Sequence, residues 1–182
     1  ETQPGNVNWS GVNNALNRGE TRVMAWHAVA HGADGVLYWQ WRSALGGQEQ
    51  YHGTLVDASG QPRLLYKEIR QLAVELERAC PVLAGSKPAE ARVAILNDYD
   101  SRWSIGAQPH HRDFDYVEHL LSYYRPIAAR NIPVDIISAD DDFERYKLVI
   151  APALTILTPQ RAERLRKFVS RGHNLLLTAR CA

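Results

Sequence analysis

The chain's apolar positions recur in two rhythms. From Glu20 to His31, Val23, Trp26 and Ala30 with the alanines between them give one broad apolar face, the 3.6-residue period of a helix. Gly32 or Gly35 ends it. Val36 to Trp41 (VLYWQW) is a short β-rich run of the kind found in buried strands. A polar stretch, Arg42 to Gly60, contains Gly46-Gly47 and reads as a long loop. Leu65, Ile69, Leu72, Leu76 and Ala79 then recur at three- and four-residue steps, predicting a helix from Leu64 to Ala79. The first half is therefore helix, strand, loop, helix. Its loop sits at the carboxyl end of a strand, where α/β proteins place their chemistry.

Gly85-Ser86-Lys87-Pro88-Ala89-Glu90 interrupts both rhythms and marks a boundary. Beyond it, Arg92–Leu96, Val134–Ser138, Leu148–Ala151 and Asn174–Leu177 read as strands. Phe114–Arg130 reads as a helix. A second helix starts at Thr158-Pro159, with proline at the first helical position, and stops at Gly172. Asn97 to Asp113 reads as a long loop carrying Trp103 and the pair His110-His111. Strands alternating with helices predict a doubly wound parallel sheet. Four strands and two helices are few for such a sheet, so this half reads as truncated.

Composition narrows the function classes. Of 182 residues, 45% are hydrophobic and 23% charged, which is globular rather than disordered. The 21 basic and 20 acidic residues are interspersed at a net charge of +1, so no footprint for nucleic acid or an anionic membrane is present. No apolar run approaches the ~18 residues of a membrane span. Cys80 and Cys181 form no C-x-x-C pair, hence no disulfide framework and no zinc site. No cofactor motif is read, and the expected location is cytoplasmic. Glu1 is not an initiator methionine, no signal-type segment follows it, and Ala182 comes directly after an apolar run. Both ends therefore read as internal to a longer protein.

Two stretches are candidates for chemistry. Glu1-Thr2-Gln3-Pro4-Gly5 with Asn8-Trp9 offers a carboxylate, a turn and a tryptophan, as at the rim of a sugar site; a plain terminal loop is the alternative. Trp39-Gln40-Trp41-Arg42 through Gln48-Glu49-Gln50-Tyr51-His52 is rich in side chains that hydrogen-bond hydroxyls. Glu49 and His52, three apart, point the same way in a helical turn; a solvated polar loop is the bland reading.

These stretches, with Ala25-Trp26-His27-Ala28-x-Ala30-His31-Gly32-Ala33 and Gln48-Glu49-Gln50-x-His52-Gly53, resemble the family 42 glycoside hydrolases, the β-galactosidases. The motifs match in order over about the first 80 residues, and the second half resembles that family's trimerisation domain. The resemblance implies an α/β chain: the C-terminal part of a (β/α)8 barrel, then a truncated doubly wound domain of flavodoxin-like or amidotransferase-like type. Residues 1–84 would run from the end of barrel strand 7 to helix 8, 85–90 would link, and 91–182 would be part of the trimerisation domain. Glu1 takes the nucleophile position, and Trp9, Glu49 and His52 the galactose-binding positions. The implied partners are a β-galactoside and, in the longer protein, two further copies of itself. Retention needs a second carboxylate about 5–5.5 Å from the first. The family carries it in an Asn-Glu pair on the fourth strand, and no Asn-Glu pair occurs here. The isolated chain is therefore expected to be inactive, with Trp26, Trp39 and Trp41 uncovered. A non-catalytic assembly module is the other reading.

Further alternatives concern the second half. Cys181 after the last strand resembles the nucleophile of class I amidotransferases, but its flanks, Ala179-Arg180 and Ala182, lack the glycines of a sharp elbow. A receiver domain needs an aspartate after the third strand, where Ala151-Pro152-Ala153 stands; Asp140-Asp141-Asp142 reads as a solvated run. His110-His111 reads as a surface loop rather than a metal site. The family resemblance puts the Asn97–Asp113 loop near the barrel mouth of a neighbouring subunit, with Trp103 at a shared entrance.

Overall fold

The computed structural model describes residues 2–9 and 11–181 and divides into two compact units, Glu1–Pro88 and Ala89–Ala182.

The first unit is built on two helices, α1 (Glu20–Ala30) and α2 (Leu64–Leu83). Helix α1 opens on Gly19 at a φ of 93°, a conformation glycine adopts without penalty. The Gly19 N–H is taken by the Glu68 carboxylate of α2 at 2.7 Å, so one helix caps the other. Glu75 of α2 accepts from Arg22 at 2.7 Å and from the Trp26 indole at 3.2 Å. These contacts set the roll of α1, which buries Thr21 and Ala25 and leaves Val23 exposed. The apolar face expected from Val23, Trp26 and Ala30 is thus not the buried one. In α2 the expected face is the inward one: Leu72 is buried, and Leu65, Ile69, Leu76 and Ala79 are half-buried. The helix runs four residues past Ala79 and takes Pro81 into its last turns.

The expected strand Val36–Trp41 is an extended run rather than a strand. Thr2 brackets Leu37–Trp39 in a single parallel bridge: its N–H donates to the Leu37 carbonyl at 2.8 Å and its carbonyl accepts from Trp39 at 2.9 Å. On the other side, Leu55 and Val56 donate to the Gln40 and Trp41 carbonyls. The two neighbours engage different levels of the run, so no continuous ladder forms.

The second unit is a four-stranded parallel sheet of β1 (Val93–Leu96), β2 (Val134–Ile137), β3 (Leu148–Ala151) and β4 (Asn174–Leu177), in the order β2-β1-β3-β4. Successive side chains alternate across it. Ala94, Leu96, Val149 and Ala151 join Leu165 and Phe168 of α5 (Pro159–Ser170) in one core. Ile95 and Ile150 join Ile105 of α3 (Tyr99–Ala107) with Tyr116 and Leu120 of α4 (Tyr116–Ala128) in the other. Covering both faces is what a parallel sheet requires. Helix α3 lies inside the expected loop Asn97–Asp113. Asp98 caps it by accepting from the Ser101 N–H at 2.9 Å, and Asp115 and Thr158 cap α4 and α5 in the same way.

Arg161 of α5 is buried at 7% exposure and reaches two carboxylates, Asp98 at 3.2 Å and Asp140 at 2.5 Å. Asp98 is itself 4% exposed. Removing the guanidinium leaves that charge buried and unpaired, so Arg161→Met should cost about 3 kcal/mol or more. Arg161's hydrogen bonds also hold the Asp140 carboxyl below its ordinary value of 3.8. The resulting stabilisation is complete above that ordinary value and drains as pH falls through the lower folded one. Urea unfolding of the wild type and of Arg161→Met, at pH 7 and down through pH 3, tests both points. Equal midpoints at pH 7 would remove Arg161 from this role.

Candidate functional site

Residues 2–9 and 48–54 of the first unit cross at Gly5 and Gly53, backbone against backbone. The Gly53 N–H donates to the Asn6 carbonyl at 2.7 Å. A Cβ on Gly53 would lie 2.6 Å from Asn6 N and from Gly5 Cα, and one on Gly5 would lie 2.8 Å from Gly53 Cα. Neither glycine tolerates a side chain at that separation. Pro4 is buried beneath the crossing.

The crossing fixes what lies beyond it. Gln48–Tyr51 form a turn in which the His52 N–H donates to the Glu49 carbonyl at 3.1 Å. Glu49, half-buried, and His52 are thus held one turn apart. His52 is 3% exposed, and its Nδ1 accepts from the Asn8 backbone N–H at 3.4 Å. A backbone N–H can only donate, so the neutral ring carries its proton on Nε2, leaving one defined donor. Trp9 stands beside it, ring centroids 6.3 Å apart and planes at 55°, and is 61% exposed. An open indole face next to an oriented imidazole suits a ligand with a C–H-rich face and peripheral hydroxyls.

The structure therefore brings Trp9, Glu49 and His52 into one loop cluster. Glu1 lies outside the described residues; Thr2, next in sequence, is the residue bridged to Tyr38. The sequence reading named Asn8 within the motif but gave it no role. Its N–H orients His52, its side-chain amide donates to the Gln48 carbonyl, and its Oδ1 is buried without a partner among the described residues. Adjacency to Trp9 was the available signal. Below the cluster, Ser43 and Thr54 share a buried hydrogen bond of 2.9 Å, and Thr54 donates to the Val56 carbonyl at 2.6 Å, which anchors the returning loop. Trp39 and Trp41 are exposed, and the Trp39–Gln40 peptide is cis.

Among the described residues the second unit offers no comparable cluster. The Cys181 thiol donates to the Ala151 carbonyl at 3.1 Å, while His119 contacts the Thr178 hydroxyl at 3.1 Å. Among the described residues no histidine is hydrogen-bonded to the Cys181 thiol. Asp140 is committed to Arg161, and Ala151 at the end of β3 and Ala153 after it are buried and carry no carboxylate, against the receiver reading. His110 and His111 are exposed, and no group of three or more His, Cys, Asp or Glu among the described residues could hold a metal ion. Trp103 is exposed on α3, its ring 5.6 Å from Tyr99.

Comparison with known proteins matches this division. A family model described as β-galactosidase covers residues 1–79, and one described as β-galactosidase trimerisation domain covers residues 91–182. The chain belongs to glycoside hydrolase family 42. The β-galactosidase Bga of Halorubrum lacusprofundi is 39% identical over 180 residues, covering 99% of this chain and 25% of that protein. BgaH of Haloferax lucentense is 41% identical over 180 residues, covering 99% of this chain and 26% of its own length. A solved catalytic mutant of a family 42 β-galactosidase from G. stearothermophilus superposes with a TM-score of 0.89 at 34% identity, over 99% of this chain and 26% of that one. The chain thus spans about a quarter of the length of these family 42 relatives.

The glycine crossing makes a direct prediction. Gly53→Ala should lower the thermal midpoint of the first unit by several degrees, because its Cβ meets backbone that cannot yield. Gly46→Ala, whose Cβ has no neighbour within 4 Å, should leave the midpoint unchanged. Differential scanning calorimetry of the two variants decides; equal midpoints would mean the crossing is slack.

Proposed function

We propose that this chain is part of a retaining β-galactosidase in which Glu1 is the nucleophile and Trp9, Glu49 and His52 hold the galactose. The observation that carries the reading is the loop cluster: an exposed indole, a carboxylate and a tautomer-fixed imidazole, gathered by a glycine crossing. In this reading one galactose face stacks on Trp9, and Glu49 and His52 Nε2–H take its hydroxyls. The Glu1 carboxylate attacks the anomeric carbon as an acid protonates the departing oxygen, and water then releases the sugar. Glu49 serves binding in the ground state and does not replace the second carboxylate. That acid/base lies outside these 182 residues, which contain no Asn-Glu pair. We therefore read the isolated chain as inactive, and residues 91–182 as the part that assembles three copies.

The test is made in the longer protein. Glu1→Gln should lower kcat for an aryl β-galactoside by roughly 10⁴-fold or more. In Glu1→Ala, which vacates the space of the carboxylate, azide should restore part of the rate by attacking where the carboxylate did. His52→Ala should mainly raise KM. A Glu1→Gln enzyme with wild-type kcat would refute the nucleophile assignment.

The isolated 182-residue chain, assayed with the same substrate, should show no hydrolysis above buffer. Turnover that disappears on Glu1→Gln would show that the chain carries its own acid.

A further inference from the structure

Helix α1 ends on two histidines one turn apart. His27 stands in its last turn and His31 caps it. Residues four apart share a helix face, and here the imidazoles lie side by side, ring centroids 4.2 Å apart and planes at 35°. Both side chains are exposed. His31 Nδ1 is 2.8 Å from the His27 carbonyl oxygen. A carbonyl only accepts, so Nδ1 carries the proton and Nε2 of the neutral ring keeps its lone pair. Metal-binding imidazoles are commonly held this way, the far nitrogen donating to a backbone carbonyl and fixing the ligating one. Among the described residues, the His27 ring nitrogens have no hydrogen-bond or ion-pair partner. The partial negative charge at a helix C-terminus adds to the attraction for a cation.

The other histidines lack this arrangement. His52 is buried with Nδ1 engaged, His119 contacts Thr178, and His173 stacks on Phe168 with centroids 4.7 Å apart. His110 and His111 are adjacent in sequence, and neighbouring side chains do not converge as an i, i+4 pair does.

We propose that His27 and His31 form a bidentate site for a divalent transition-metal ion of the zinc, nickel and copper group, His31 ligating through Nε2. Imidazole suits these ions, whereas magnesium and calcium call for oxygen ligands. Two protein ligands leave the remaining positions to water. The bound ion ties the last turn of α1 to its cap and stabilises the first unit by mass action. The proposal is independent of galactoside chemistry.

Isothermal titration of the 182-residue chain with Ni²⁺, and separately with Zn²⁺, tests it. One site per chain is expected, with a rise in thermal midpoint on adding metal. His27→Ala and His31→Ala should each weaken binding about 100-fold, since each removes one arm of a chelate. The double variant His110→Ala, His111→Ala should bind like the wild type. Because α1 exposes both rings, circular dichroism should show unchanged helix in every variant. His27→Gln supplies a second substitution with an uncharged amide in place of the ring. Single variants that bind as well as the wild type, or a loss that follows His110 and His111 instead, would overturn the site.

Discussion

Gly5 and Gly53 cross at a separation that excludes a Cβ on either, and the candidate site depends on that approach. The crossing is made by backbone, with the Gly53 N–H on the Asn6 carbonyl, so it does not depend on side-chain rotamers. Everything useful lies within a few residues of it. Three residues beyond Asn6 stands Trp9, and one residue before Gly53 stands His52. Asn8 then spans the gap with its N–H on the imidazole and its amide on the Gln48 carbonyl. Widening the crossing by one methyl group would shift the indole and the imidazole apart. A site held to within about 0.5 Å needs such over-determined supports.

The second unit uses its polar groups differently. Doubly wound sheets bind ligands at the carboxyl ends of their strands, where the strand order reverses. In the order β2-β1-β3-β4 that point lies between β1 and β3. Here its polar groups are engaged with one another. Asp98 caps α3 and pairs with Arg161, and the Asp98 N–H donates to the Tyr116 hydroxyl at 3.1 Å. After β3, the Ala153 N–H donates to the Thr178 hydroxyl, which also meets His119. Burial pushes the Tyr116 phenol up and the His119 imidazole down, favouring the neutral form of both. Groups that satisfy one another at the switch point make a rigid scaffold, consistent with the trimerisation-domain match over residues 91–182.

Sequence patterning gave the second unit most clearly. All four strands and two of its helices follow from apolar period and caps; the signal is strongest in the central strands β1 and β3, where Ala94, Ile95, Leu96, Val149, Ile150 and Ala151 are buried. The missed helix α3 is short, and its face is mixed: Ile105 is buried, while Tyr99 and Trp103 are exposed. Its start was written in Asp98-x-x-Ser101, a capping spacing hidden by the aromatic and charged residues that follow. In the first unit the sequence misjudged α1, since the ion pair of Arg22 with Glu75, 53 residues away, decides which face turns inward. The motifs around Trp9, Glu49 and His52 were legible as motifs. What gathers them, a close approach of two glycines 48 positions apart, leaves no local pattern.

The extended run from Leu37 to Trp41 shows why a period-2 pattern need not end in a strand. Leu37, Trp39 and Trp41 point outward and are exposed, while Tyr38 and Gln40 turn inward. Tyr38 OH and Gln40 Nε2 are buried without partners among the described residues. Apolar groups outside and polar groups inside invert the usual half-buried strand. The alternation suits a run whose outer side chains pack against a further layer and whose inner ones face a polar interior. A barrel strand lies between such surroundings, with helices outside and the polar mouth of a site inside. Within this chain only Thr2 and the Leu55–Val56 segment hold the run, at different levels. Its side chains are thus matched to a fuller α/β architecture, and its hydrogen bonds to the two neighbours it has.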